Sequence, residues 1–126
     1  EAGRYPEALA LNKQALEAGE KLFGPDSEKL LVVVTNISQN AYVLGDPKTT
    51  QSFLERVLAT ATKHDQHSHI DNALFLLGVL AFEQDRFEEA EAYMKRRLSL
   101  AEASSDSNRI KSAREDLEIL YEKMSR

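Results

Sequence analysis

Apolar residues recur along this chain at the three- and four-residue spacing of amphipathic helices, and the interruptions carry residues that begin or end helices. The spacing predicts six helices, over residues 6–22, 27–44, 46–63, 70–84, 86–103 and 107–126. Gly24-Pro25 marks the first boundary, and Gly45 followed by Asp46-Pro47 marks the second. A polar stretch over residues 64–69 is predicted to be a linker. We therefore predict an all-α chain.

Residues Val32 to Thr35 are the one place where a strand competes with a helix, because β-branched residues favour extended backbone. The two-residue alternation of a half-buried strand is absent there. An isolated strand in a helical chain would also leave its backbone groups without partners. A helix is therefore predicted through this segment.

The segment at residues 85–98 is a weak copy of the segment at residues 3–16. Both open with Arg, an aromatic residue, any residue and then Glu-Ala, and Leu16 to Leu98 gives an offset of 82, or two periods of about 41. A more degenerate copy begins near residue 45. A period of this size indicates stacked helical hairpins, each burying its apolar stripe on its neighbours. We predict one α-α superhelix, or solenoid, of antiparallel hairpins over residues 1–126, with a partial unit 1–26, units 27–66 and 67–106, and a terminal helix 107–126.

The composition limits the kinds of partner that this chain is expected to bind. With 21 acidic against 16 basic side chains, the net charge of −5 disfavours nucleic acid as a partner. The absence of cysteine excludes disulfides and thiol chemistry. No apolar run approaches the ~20 residues of a membrane span and no signal peptide is visible, so we expect a soluble, cytoplasmic protein without a membrane partner. The chain begins at Glu1 within a helical pattern, which leads us to expect a piece of a longer protein.

Three motifs accompany the repeat. A Leu-x-x-Leu-Gly pattern followed by a small residue is formed by Leu74, Leu77, Gly78 and Ala81. A turn residue, an aromatic residue and an alanine recur as Gly3, Tyr5 and Ala8 and as Asp85, Phe87 and Ala90. The segment LFGPD occupies residues 22–26. In these motifs the chain resembles the tetratricopeptide repeat family, in the long-repeat type of kinesin light chains and many bacterial proteins. The resemblance implies alternating helices A and B that cross at the alanine.

Two departures from the family pattern lead to expectations. In the middle unit Thr50 replaces the crossing alanine and Pro47 the aromatic residue, which predicts looser or shifted packing. The last helix has no helix B after it. Its charged side, with Arg114, Glu118 and Glu122, favours a solvating cap over a repeat cut short.

The first helix has no helix A before it. Its apolar residues are predicted to form a single stripe, made of Ala8, Leu9, Leu11, Ala15, Leu16 and Leu22. The face that carries Tyr5, Leu9 and Leu16 is expected to need cover from missing chain or from another molecule.

The resemblance implies a concave groove lined by the A helices, here the second and fourth helices. The residues implied to line a peptide-binding groove are Asn36, Gln39, Tyr42, Asn72, Val79, Phe82 and Glu83. Asn36 matches a family asparagine that bonds the backbone of a bound peptide, and an amide suits that role because it both donates and accepts. An asparagine that bonds only water is the alternative. Phe82 is expected to be the exposed apolar anchor, whereas Phe75 and Val79 have packing inside the array as the favoured alternative.

Other kinds of site are disfavoured. A carboxylate clamp needs Arg or Lys beside the groove asparagine, and the second and fourth helices offer only Lys29 and Lys48, at or beyond their ends. The histidines of residues 64–69 lie in a short polar stretch, which favours a solvated linker over a zinc site. The basic residues Lys95 to Arg97 lie among glutamates, which predicts ion pairs on the helix surface. No catalytic residue, metal or cofactor is predicted.

The sequence therefore predicts a non-enzymatic scaffold that binds a peptide segment or a protein surface in its groove. Two other roles stay open. The first is self-association or spacing within a larger protein, including a homo-oligomer formed through the uncovered first helix. The second is a peptide-sensing regulatory domain of a bacterial regulator, which an adjoining DNA-binding or catalytic domain would reveal.

Overall fold

The computed structural model describes residues 4–125, and these residues form six α-helices and no strand. The helices are Tyr5–Phe23 (α1), Leu31–Val43 (α2), Pro47–Lys63 (α3), His67–Glu83 (α4), Phe87–Ser104 (α5) and Ser107–Met124 (α6). A 3-10 turn, Glu28–Leu30, leads into α2. Val32 to Thr35 lie inside α2, and the predicted all-α fold of helical hairpins is confirmed. Glu1 and Gly3, on which two expectations depended, lie outside the described residues.

The turns that follow α2, α3, α4 and α5 recur every twenty residues along the chain. One residue in each turn takes the left-handed conformation, namely Gly45, Asp65, Asp85 and Ser105. The next residue donates its backbone N–H to a carbonyl five residues earlier, and these carbonyls belong to Ala41, Ala61, Ala81 and Ala101. All four alanines are buried. This hydrogen bond closes the end of each helix and turns the chain back for the next one.

Two side chains cap the starts of helical segments. Ser27 Oγ accepts the N–H of Lys29 at 3.2 Å, and Asp46 Oδ1 accepts the N–H of Thr49 at 3.1 Å. Each side chain satisfies a donor that the start of a helix leaves unpaired. Thr50, at the position where the next unit has an alanine, is buried, and its hydroxyl donates to the Asp46 carbonyl at 2.7 Å.

α4 begins at His67, earlier than the predicted start at residue 70. The predicted linker over residues 64–69 is therefore wrong in its second half, because the first turn of a helix tolerates polar side chains and the turn uses Asp65 rather than a glycine. His64 does precede the helix, and its ring is held in place. Its Nδ1 lies 3.2 Å from Glu28 Oε2, and its Nε2 lies 2.9 Å from the Asp26 carbonyl oxygen.

The helices divide into two compact units, Glu1–Ile70 and Asp71–Arg126. In the first unit, α2 packs against both α1 and α3. The buried apolar residues of these three helices and of the 3-10 turn are Leu16, Leu30, Leu31, Val34, Ile37, Ala41, Leu54, Val57 and Ala61. Gly19 lets α1 approach the 3-10 turn, because a β-carbon at residue 19 would lie 2.6 Å from Leu30 Cδ2. Two neighbouring helices thus cover α2 and leave one of its faces open.

The apolar residues of α1 form two stripes rather than the predicted single one. Leu16 is buried and Leu9 is half-buried, so the expectation that this face lacks cover is wrong, since α1 packs on α2. Leu11 and Leu22 are 65% and 77% exposed. At 3.6 residues per turn they lie about 140° around the helix from Leu9 and Leu16. The uncovered face of α1 is therefore a different one from the face expected.

In the second unit, α5 packs on α6, and α4 meets α5 where Gly78 allows close approach. A β-carbon at Gly78 would lie 3.3 Å from Met94 Cγ. The core cluster holds Ala81, Ala90, Met94, Leu117 and Leu120, with Phe82, Phe87 and Leu98 packed against it. Tyr121, next to the buried Leu120 on α6, is exposed.

Arg97 is buried in the second unit, with only 7% of its surface exposed, so its predicted place on the helix surface is wrong. Its Nε lies 3.0 Å from Asp71 Oδ1, and its Nη1 lies 2.9 Å from Asp116 Oδ2. Its Nη2 donates to Ser112 Oγ at 3.2 Å, and the guanidinium carbon lies 5.1 Å from the centre of the Phe75 ring. One side chain of α5 thereby joins α4 to α6 within this unit.

Burial raises the pKa of Asp116 above its ordinary value, and the attraction of Arg97 only partly offsets that effect. Because the folded-state pKa lies above the unfolded one, the proton binds more tightly to the folded protein. The contribution to stability is therefore present below the unfolded pKa and is lost as the pH rises through the folded pKa. We expect the free energy of unfolding of the wild-type protein to increase, relative to that of Asp116→Asn, as the pH falls from neutral. Urea unfolding of both proteins over a pH series measures this, and a shift in the opposite direction contradicts the assignment.

Candidate peptide-binding face

One face of α2 is exposed along its whole length. Val32, Asn36, Gln39 and Val43 follow one another at spacings of four, three and four residues, which places them on one stripe of the helix. We call these four residues the α2 face. Val32 and Val43 at its ends are 63% and 52% exposed, and both amide residues between them are exposed.

The α2 face has no charged group of its own. The helix sequence LVVVTNISQNAYV contains no Asp, Glu, Lys, Arg or His, so no side chain of α2 that is charged at neutral pH selects a ligand there. Asn36 and Gln39 each offer a carbonyl acceptor and an NH₂ donor. These are the groups that pair with a peptide unit whatever side chain it carries. The valines at either end offer apolar contact to side chains of such a segment.

The structure places the other predicted residue of α2 beside this face. Tyr42 is 46% exposed and lies at the edge of the stripe, toward the end of the helix. Thr35, one turn from Gln39, is half-buried, and its hydroxyl oxygen is among the buried polar atoms without a partner. Asn36, Gln39 and Tyr42 are thus together on the outside of α2.

The four predicted residues of α4 have mixed surroundings. Asn72 and Glu83 are exposed, and Val79 is half-buried. Phe82 is half-buried rather than exposed, because its ring packs edge-to-face on Phe87 at 5.8 Å between centroids. The expectation of Phe82 as a free apolar anchor is therefore wrong.

Each predicted set lies on its own helix, one in each compact unit. That the two sets line one concave groove stays a prediction. The alternative of packing inside the array is supported for Phe75, which lies under the Arg97 guanidinium. Sequence reasoning missed Val32 and Val43, although both fall on the four-three-four series that passes through Asn36 and Gln39.

Within residues 4–125 no three or more His, Asp or Glu side chains are grouped as metal ligands would be. Asp71, two residues after the last of the three histidines, accepts a hydrogen bond from Arg97. Every helix in this described part of the chain is too short or too polar to cross a bilayer.

The model of the tetratricopeptide repeat family matches residues 1–28, which include α1 and the LFGPD segment. No match is found among the curated proteins. The long-repeat kinesin-light-chain type stays a prediction.

Proposed function

We propose that this chain, which belongs to the tetratricopeptide repeat family, holds a peptide segment of a partner protein along the α2 face. The family is one of protein-interaction modules. The proposal includes a cytoplasmic location and no catalytic step. The observation that carries it is the exposed, uncharged stripe of α2, in which two amides lie between two valines.

The dimensions of the α2 face suit a short extended segment. Val32 and Val43 are separated by eleven helical steps, or about 16 Å at 1.5 Å per residue. An extended peptide covers that length with about five residues. The two amides then hydrogen-bond its backbone, and the valines contact apolar side chains near its two ends. A segment of low charge with apolar residues at its ends is therefore the partner that this face fits.

Replacing Asn36 and Gln39 together by alanine is expected to weaken binding of such a peptide about tenfold, because each amide contributes about one net hydrogen bond. The probe is a peptide selected on the wild-type protein from a random-sequence display library. Its affinity for each variant is measured by fluorescence anisotropy. Because the face is uncharged, raising the ionic strength is expected to change the wild-type affinity little.

The matched control is Asn108→Ala, which removes an exposed amide from α6 in the second unit. It is expected to leave the affinity unchanged. Equal binding by the double variant and the wild type would count against the α2 face. Failure to select any binding peptide would count against peptide capture as the function.

A further inference from the structure

A second face of the first unit is apolar and exposed. Leu11, Ala15, Ala18 and Leu22 of α1 are all exposed, and their spacing of four, three and four residues places them within an arc of about 60°. Ala8, one step before Leu11 in the same series, is half-buried. We call these five residues the outer face of α1. This heptad spacing is the pattern of one helix that packs along another.

The outer face is separate from the face that α1 uses within its own unit. Leu16 is buried and Gly19 lies against Leu30, so α2 and the 3-10 turn cover that other side. Two leucines are exposed at the outer face, where they contribute nothing to the core. Burying each exposed leucine side chain on association is favourable.

We propose that the outer face of α1 pairs with the same face of a second copy of this chain, in an antiparallel arrangement about a two-fold axis near Ala15. In that register Leu11 lies opposite Ala18 of the second copy, and Leu22 lies opposite Ala8 of the second copy. Each large side chain thus meets a small one, so the two helices approach closely and the leucines interdigitate. The surface is self-complementary, as a two-fold interface requires.

Charge selects the antiparallel direction. Glu7 and Lys21 lie two heptads apart on the same flank of the outer face, with Gln14 midway between them. The two-fold arrangement places Glu7 beside Lys21 of the second copy, and symmetry repeats this pair. A parallel arrangement instead turns this flank toward the opposite flank of the second copy, where Asn12 and Gly19 lie, so neither charge gains a partner. Lys21 is 3.6 Å from Glu17, and both side chains are more than two-thirds exposed, so that surface pair rearranges at little cost.

The test is the molar mass measured by sedimentation and light scattering as the concentration rises to about 1 mM. The wild-type protein is expected to move from the mass of one chain toward twice that mass. Leu11→Asp, at an exposed position, is expected to stay at the mass of one chain. The matched control is Ile119→Asp, at an exposed position of α6, which is expected to behave as the wild type. Circular dichroism of each variant reports whether its helices are intact.

A charge exchange tests the register independently of the leucines. Glu7→Lys and Lys21→Glu are each expected to weaken dimerisation about tenfold, because two attractive pairs become two repulsive ones. The double variant is expected to regain the wild-type affinity. A wild-type protein that stays monomeric throughout overturns the proposal. The proposal is also overturned if Leu11→Asp dimerises as strongly as the wild type. It is overturned likewise if the double charge exchange does not restore the wild-type affinity of dimerisation.

Discussion

Replacing Arg97 by methionine is expected to lower the free energy of unfolding by about 3–5 kcal/mol. The guanidinium is buried between two carboxylates, Asp71 and Asp116, at 3.0 and 2.9 Å. Without the cation both carboxylates are left largely buried and unpaired, and they repel each other. The loss of stability therefore comes mainly from the two carboxylates that remain without a cation. The apolar contacts of methionine offset only part of that loss.

The origin of this cost can be separated from the loss of packing. A triple variant with Arg97→Met, Asp71→Asn and Asp116→Asn retains no net charge in the cluster. It is expected to regain most of the lost stability, because removing a whole buried charge cluster is often close to neutral. Arg96→Met, one residue earlier on the exposed side of α5, is the matched control and is expected to change stability by less than about 0.5 kcal/mol.

Urea unfolding followed by circular dichroism measures all three variants. A triple variant as unstable as Arg97→Met would show that the aliphatic packing of the arginine matters more than its charge. A single variant within about 1 kcal/mol of the wild type would contradict the structural role given to Arg97.

The sequence pattern predicted the helices because their ends carry chemistry that acts locally. Gly45 and the Asp46-Pro47 pair act through their own backbone and neighbours, so the boundary between α2 and α3 was predicted correctly. The start of α4 was predicted wrongly, because the turn before it uses Asp65 in the left-handed conformation. A glycine at that position would have marked the turn in the sequence. The twenty-residue recurrence of buried alanines, from Ala41 to Ala61, was the signal that locates this turn.

Which side of a helix is covered depends on its neighbours, and spacing along one helix does not contain that information. In α1 both stripes are apolar, and only the placement of α2 decides that Leu16 is buried while Leu11 is exposed. Phe82 is half-buried for the same reason, because Phe87 of the next helix packs on it. The family resemblance implied Asn36 and Gln39 as groove residues, and both are exposed because they lie opposite the apolar stripe of α2.

Comparing equivalent positions of successive repeats predicts which side chains are buried better than the spacing of apolar residues along one helix does. Arg97 stands forty residues after Val57, and Val57 is buried in the first unit. A charged residue at a position that the preceding repeat uses for its core predicts a buried ion cluster. The basic neighbours Lys95 and Arg96 are exposed, so the run of three basic residues does not by itself indicate that Arg97 is buried. The same comparison identifies a second polar residue at a core position, Asn40, which stands forty residues before the buried Leu80.

Replacing Asn40 by leucine is expected to raise the free energy of unfolding by about 1–2 kcal/mol. Asn40 is 9% exposed, and its Nδ2 is buried without a hydrogen-bond partner. A donor in that state costs its full desolvation, about 1–3 kcal/mol, with nothing gained in return. Leucine removes the donor, has the same number of side-chain heavy atoms branched at the same carbon, and is the residue that the next repeat places at this position.

Two companion variants separate the causes of that gain. Asn40→Ala also removes the donor but leaves a space, so it is expected to gain less than leucine or to lose stability. Asn36→Leu, one turn earlier on the exposed α2 face, places the same side chain where no donor is buried, and its stability is expected to stay within about 0.5 kcal/mol of the wild type. Thermal and urea unfolding of the three proteins compare them directly. A loss of stability in Asn40→Leu would contradict this account, and would mean that the Asn40 amide is hydrogen-bonded in solution or that the larger leucine does not fit the site.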